Sequence, residues 1–533
     1  MKRLNLFLIS LVLVLLLASV SCRHLEGEPI ANVTPVLPIV DSIQEVVPAR
    51  FDSTLVVSFF EQYPKLRYLQ PAIKALYQNR HYKHLWYDSK GLNEFAYVLY
   101  DKINNLEEEG VPNAMPYKDK IAALFESTET LGKPKVNMEL FLTSMYFYYE
   151  DRVFKGLPSV KSVELEWYLP RKKQTYAIRL DSLLQKPTLF GSKEKDVLDQ
   201  YYRLKTALRE YRIMEQKGGW DAIALPPKFK SLRFGDTLGM VLSLRKRLVV
   251  SGDLAEDNQS NLYDTALLKG LLRYKKRHGF SSDSLLLPKH IKDMNISVAE
   301  RITTIMVNME RCRWVSPELI HSKTFVMVNI PSYSLTFFRD GQLEMISKVV
   351  VGKLLNKTVV FSGEMRFIVF SPYWNVPTSI LRKEILPAIA KNRNYLAQHR
   401  MEWHNKGVRQ RPGPQNSLGL VKFLFPNSNN IYLHDTPSKN LFKEDRRAFS
   451  HGCIRVERAR DLAIAVLRDD PEWSVEQIDA AMNRGVERTY RLQNKIPVYI
   501  GYFTAWVDKE GVVHFYDDVY QRDKRLAELL LAN

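Results

Sequence analysis

The sequence predicts a multidomain α+β protein, with a mainly helical N-terminal scaffold, a small three-helix module, and a β-rich C-terminal domain carrying a helical lid insertion. Three observations carry that expectation. Apolar residues recur at three-to-four spacing through the first half of the chain, as in Leu66, Leu69, Ile73 and Leu76, the period of a helix with one buried face. From Lys323 the period becomes that of a strand, in Phe325 to Ile330, Ser334 to Phe338 and Leu343 to Val351. Between the last two runs, Asp340-Gly341 is a strong hairpin signal. At 533 residues the chain exceeds one core, and roughly one domain per 150 residues suggests about three folded units. With 45% hydrophobic and 26% charged residues, it has the composition of a globular rather than a disordered protein.

Taken in order, Lys2 and Arg3 precede an apolar run from Leu6 to Leu17 that is too short to cross ~30 Å of hydrocarbon comfortably. Residues 1–21 therefore read as a secretory signal peptide. The small residues before Cys22 resemble a bacterial lipobox, with Ser19 where Leu is usual. That resemblance implies lipidation of Cys22 and a membrane partner through the N-terminal lipid; plain cleavage nearby and an uncleaved anchor are the alternatives. Residues 22–50, rich in Pro, Val, Ser and Glu and lacking any period, read as a linker.

Residues 51–230 form the expected helical scaffold domain, with a second apolar series at Phe95, Val98, Leu99 and Ile103. Its dense aromatics, including Trp86 and Tyr146 to Tyr149, read as core packing. In residues 231–297, helical spacing runs from Leu238 to Leu248 and again from Asp264, an N-cap, to Gly279, a C-cap. The runs Leu232 to Asp236, Gly252 to Leu254 and Arg277 to Phe280 resemble a helical peptidoglycan-binding domain; a helical spacer without ligand is the competing reading. Residues 298–322 read as a connecting helix with Ile302, Ile305, Met306 and Met309 on its apolar face and Cys312 as a packed thiol. The β-rich domain covers 323–506, with a lid at about 378–420 that is helical from about Ile380 to Gln398, and 507–533 is a C-terminal extension.

Three cysteines, Cys22, Cys312 and Cys453, cannot make a disulfide framework in an exported protein. A net charge of +18 suits an anionic setting such as wall polymer or lipid headgroups. The basic residues are scattered without an Arg-rich or aromatic-interleaved patch, so a nucleic-acid partner is not expected.

The chemistry concentrates in Ile431 to Thr436 and Ser450 to Val456. A thiol transfers acyl groups as thiolate, which a neighbouring imidazole can generate. Strand alternation puts Tyr432 and His434 on one face and Ile431 and Leu433 on the other. Gly452 can hold a turn that leaves its own N–H and that of Cys453 free as an oxyanion hole. A β-branched residue at Gly452 is expected to be nearly silent for folding and ruinous for turnover.

A His separated by fifteen residues from Ser450-His451-Gly452-Cys453, with Arg455 two places on, resembles the signature of the YkuD-type L,D-transpeptidases. Asn329-Ile330-Pro331, Val350-Val351-Gly352, Trp374-Asn375-Val376-Pro377, Ile385-Leu386-Pro387 and Gly413 to Gly419 support it, and the resemblance extends to the large members with scaffold and peptidoglycan-binding domains. It implies that Cys453 attacks the third residue of a peptidoglycan tetrapeptide stem, expels D-Ala, and passes the acyl group to a second stem, joining third residues. It further implies His434 as base, the Gly452 and Cys453 amides as oxyanion hole, and Tyr432, Trp374, Asn375, Ser450, His451 and Arg455 as substrate-binding residues. No cofactor or metal is required, carbapenems should acylate Cys453, and the location implied is the periplasm of a Gram-negative bacterium. A zinc site at His434, His451 and Cys453 lacks any accompanying ligand pair such as HExxH, and a non-catalytic wall-binding scaffold would have no use for a thiol beside an imidazole. Water, a protein Lys or a D-amino acid as acyl acceptor stay open.

Overall fold

The computed structural model describes residues 50–112, 114–127, 133–171, 176–194 and 196–532. The signal peptide, all but the last residue of the linker, and Cys22 lie outside the described residues.

The N-terminal part is helical. Its central helix, Val136–Tyr149, is buried on nearly every side, which explains the run of four aromatics at its end. The carboxylate of Glu139 survives in that core because Tyr77 Oη (2.7 Å) and Leu85 N (2.7 Å) donate to it. Helices Met240–Val250, Thr265–Arg277 and Pro288–Met294 then close around their own apolar cluster of Leu244, Leu248, Leu271, Tyr274 and Ile291. The Asp264 side chain caps the second of these by accepting from Leu267 N at 2.9 Å.

The helix Val298–Arg313 differs from its expectation. It is buried around its whole circumference from Ile305 onward, because scaffold and β-rich part share one continuous core and this helix runs through it. The buried Glu310 carboxylate is fully engaged: Arg313 Nη1 donates to its Oε2 at 2.9 Å, Trp314 Nε1 to its Oε1 at 2.7 Å, and Leu157 N to the same oxygen at 2.5 Å. Removing the Glu310 carboxylate would leave the buried Arg313 guanidinium without its carboxylate partner, with only the Val153 and Glu109 carbonyls to accept from it. Glu310→Ala is expected to lower unfolding free energy by about 3–5 kcal/mol in denaturant titration. Cys312 packs in the same helix as a buried free thiol.

The C-terminal part is a nine-stranded mixed sheet among the described residues. The Asp340-Gly341 turn joins strands Ser334–Arg339 and Gln342–Gly352. The second of these pairs with the first up to Lys348 and then, through Val349 and Val350, with Ile454–Val456, so the ladder returns on itself. Two central strands carry little sequence signal. Phe361–Phe370 is interrupted by Gly363, Glu364 and Arg366, and Arg488–Gly501 contains Pro497, which normally argues against a central strand. They nevertheless pair along most of their length, with a register shift between Arg491 and Ile496.

The lid is not helical throughout. Helical segments Thr378–Ile380, Leu381–Ile385, Leu386–Lys391 and Tyr395–Gln398 are followed by a hairpin, Met401–His404 with Gly407–Gln410, which pairs with Trp374–Asn375 as a three-stranded sheet. Val376, Leu381, Ile385, Met401 and Val408 form its small separate core. Residues 507–533 are likewise more than an extension, since Val513, Phe515, Tyr520 and Leu526 enter the main core.

Candidate active site

Strand Leu433–His434 lies parallel to strand Ile454–Val456, with Leu433 opposite Ile454 and His434 opposite Arg455. Opposed residues share a face, so alternation sends Leu433, Ile454 and Val456 into the core and leaves His434, Arg455, Tyr432 and Cys453 together on the other side. Ile454 N donates to Tyr432 O at 3.1 Å, fixing Cys453 at the mouth of this ladder. Sequence alternation foresaw this grouping for Tyr432 and His434.

His434 is buried, and its Nδ1 donates to the Asp435 carbonyl oxygen at 2.5 Å. A carbonyl can only accept, so Nδ1 carries the proton and Nε2 is the basic nitrogen of the neutral ring. The Asp435 carboxylate is used elsewhere, accepting from Lys439 Nζ at 2.6 Å and Leu420 N at 3.0 Å. Burial, reinforced by the charge of Arg455, lowers the His434 pKa to about 4. Burial pushes the Cys453 thiol up, opposed by hydrogen bonds from Tyr432 and the charge of Arg455. The resting pair is therefore neutral, and Cys453 Sγ donates to Asn430 O at 3.6 Å. Burial of both groups thus opposes transfer of the thiol proton to the imidazole at rest.

The other expected residues divide. Ser450 is buried and ties the Cys loop: its Oγ donates to Cys453 O at 2.6 Å and accepts from Gly452 N at 3.1 Å. This corrects two expectations, since Ser450 is turned into the loop rather than toward a substrate and the Gly452 N–H is engaged. The Cys453 N–H has no hydrogen-bond acceptor among the described residues. His451 faces outward and meets the lid, its Nε2 lying 2.8 Å from Glu384 Oε1. Trp374 and Asn375 belong to the edge of the lid sheet, Trp374 packing on the lid core, and neither makes a hydrogen bond or ring contact with Cys453 or His434 among the described residues. The Tyr432 and His434 rings lie 5.6 Å apart. Arg455 has its Nε buried without a hydrogen-bond partner among the described residues.

Gly452 has φ +121°, a conformation that L side chains rarely adopt, although a Cβ would meet nothing closer than 3.9 Å. A side chain there is consequently not silent for folding. Gly452→Val is expected to cost about 1–3 kcal/mol in thermal or denaturant unfolding in addition to its effect on turnover.

Lys422 was not foreseen. It stands opposite His434 on the adjacent strand, is half-buried, and has Glu487 as counter-ion at 3.7 Å. No local motif marks it; only pairing brings it there. Among the described residues, no cluster of three His, Cys, Asp or Glu side chains is placed to hold a metal. Nor is any described helix long and apolar enough to cross a membrane.

Residues 323–478 match the profile of the YkuD family, described as the L,D-transpeptidase catalytic domain. This part of the chain is thus similar to the YkuD family over its matched residues. Residues 71–208 match a second profile, described as a scaffold domain, which lies within the helical N-terminal part. A Haemophilus influenzae protein provisionally named L,D-transpeptidase is 33% identical over 243 residues, 42% of this chain; the match spans 48% of that relative, about half its length. The L,D-transpeptidase from Mycobacterium smegmatis is similar over 33% of this chain and 58% of its own, at 12% identity and a TM-score of 0.19. L,D-transpeptidase 3 from Mycobacterium tuberculosis is similar over 33% and 60%, at 14% identity and a TM-score of 0.19. The matched residues include Cys453, His434, Arg455 and the lid, and end before strand Arg488–Gly501, which lies within the same sheet.

Proposed function

We propose that the chain is an exported L,D-transpeptidase that cross-links peptidoglycan stems through a thioester on Cys453. The observation that carries this reading is the parallel pairing of Leu433–His434 with Ile454–Val456, which sets a tautomer-locked imidazole and a thiol on one face of the sheet. Cys453 Sγ attacks the carbonyl of the third stem residue as His434 Nε2 takes the thiol proton. The oxyanion forms beside the Cys453 N–H. On collapse, the C–N bond to the terminal D-Ala breaks and His434 returns the proton to the departing amine. The side-chain amine of a second stem then attacks the thioester, its proton passes through His434 to the thiol, and third residues are joined. Arg455 suits a substrate carboxylate, and Trp374 and Asn375 would bound the groove from the lid, with His451 latching the Cys loop to Glu384.

Export by residues 1–21 and lipid attachment at Cys22 complete the reading, with the enzyme tethered in the periplasm. The deciding experiment is mass spectrometry of muropeptides after incubation with tetrapeptide-rich sacculi. Dimers joined through third residues, with free D-Ala, are expected. Tripeptides alone would make the protein a carboxypeptidase, wall-linked protein would make it an attachment enzyme, and unchanged sacculi would overturn the assignment.

A further inference from the structure

The Cys loop is held from behind by a residue outside the motif. Thr358 is fully buried. Its Oγ1 accepts from Gly352 N at 2.9 Å and donates to the Gly452 carbonyl oxygen at 2.8 Å. Its own N–H donates to Tyr520 Oη at 3.0 Å, and that hydroxyl donates to Gly352 O at 2.7 Å. Tyr520 is fixed in turn: its N–H donates to Tyr502 Oη at 2.8 Å, and Arg522, whose guanidinium lies 5.6 Å from the Tyr520 ring centroid, pairs with Glu166 of the scaffold at 2.6 Å. The turn that presents Thr358 is tight enough that a Cβ on Gly352 would fall 2.0 Å from Asn356 O.

The consequence follows from peptide geometry. The Gly452 carbonyl and the Cys453 N–H belong to one planar trans peptide and point in opposite directions. Fixing that carbonyl toward the protein interior aims the Cys453 N–H into the cleft, and this is the N–H left without an acceptor among the described residues. We infer that Thr358, braced by Tyr520 from the C-terminal segment, is the positioning residue that orients the oxyanion donor of Cys453.

The inference rests on Cys453 as the acyl-accepting nucleophile, and the test separates the two. In the full chain, wild type, Thr358→Val, Thr358→Ser and Tyr520→Phe are compared in two reactions at Cys453. Acylation by a tetrapeptide stem and by a carbapenem, followed by intact mass, requires an oxyanion. Alkylation by iodoacetamide uses the same sulfur without one. Thr358→Val is expected to slow acylation about 10²-fold, the scale of losing one oxyanion donor, while alkylation is unchanged. Thr358→Ser, which keeps both hydrogen bonds, should restore acylation, and Tyr520→Phe should fall between. Equal loss of both reactions across the variants would make Thr358 merely structural, and wild-type acylation in Thr358→Val would refute the role. Should Thr358→Val fail to fold, the contrast of Tyr520→Phe with Thr358→Ser decides: the inference stands only if Tyr520→Phe slows acylation selectively. A wild type acylated by carbapenem but not by the stem leaves the inference measurable and removes the substrate reading, whereas no acylation of wild type by either overturns both.

Discussion

Cys453→Ala is expected to abolish acyl-enzyme formation with stem and carbapenem alike and to lower cross-linking by at least about 10⁴-fold, as loss of a covalent nucleophile does elsewhere. Among the described residues, the other thiol cannot substitute, because Cys312 is buried and burial pushes it far above the range where thiolate forms. The fold should hardly notice: the sulfur makes weak contacts, 3.6 Å to Asn430 O and hydrogen bonds from Tyr432, and the loop is tied by Ser450 and Thr358 through backbone atoms. Intact-protein mass should show no adduct at an unchanged melting temperature. A cross-linked product from this variant would mean that the nucleophile lies elsewhere.

The second large effect concerns pH. Because burial lowers the His434 pKa to about 4, the imidazole is the free base across the neutral range. The acid limb of kcat/KM for acylation should therefore lie near pH 4 rather than near 6.5, with a plateau above it. His434→Gln should lower the plateau by about 10²–10⁴-fold and replace it with a rate that climbs with pH, because only the minor thiolate fraction then reacts. A wild-type limb near 6.5, or a variant with the same profile as wild type, would refute the assignment of His434 as a buried base. The sign for stability runs with it. The unfolded chain takes a proton on this ring near 6.5 and the folded chain only near 4, so stability is lost as pH falls through that window. His434→Gln should remove that part of the acid sensitivity in denaturant titrations at pH 7 and pH 5.

Much of the site was legible from local pattern. Alternation in Ile431 to His434 placed Tyr432 and His434 on one face, and the parallel partner adds Cys453 and Arg455 to it. The hairpin at Asp340-Gly341 and the cap at Asp264 also stand, because each is a property of a few adjacent residues. Ser450 was misjudged for a related reason: a hydroxyl three residues from a nucleophile resembles a substrate ligand in sequence, whereas its bonds to Gly452 N and Cys453 O use it within the loop. Phe361–Phe370 and Arg488–Gly501 escaped because charges, a glycine and Pro497 break the strand pattern, and only their mutual pairing makes them strands.

By itself, the sequence determined that the chain is helical first and β-rich later, and it marked Cys453, Gly452 and His434 as candidates for one acyl-transfer chemistry. Periodicity, turn residues and short motifs act over a few residues and survive without knowledge of the fold. Tertiary structure alone decided the protonation of that chemistry and its geometry. Burial sets His434 and Cys453 neutral, the Asp435 carbonyl selects the imidazole tautomer, and Thr358 with Tyr520, far apart in sequence, aims the Cys453 amide. Desolvation and hydrogen-bond direction depend on which distant segments pack together, and no local pattern encodes that.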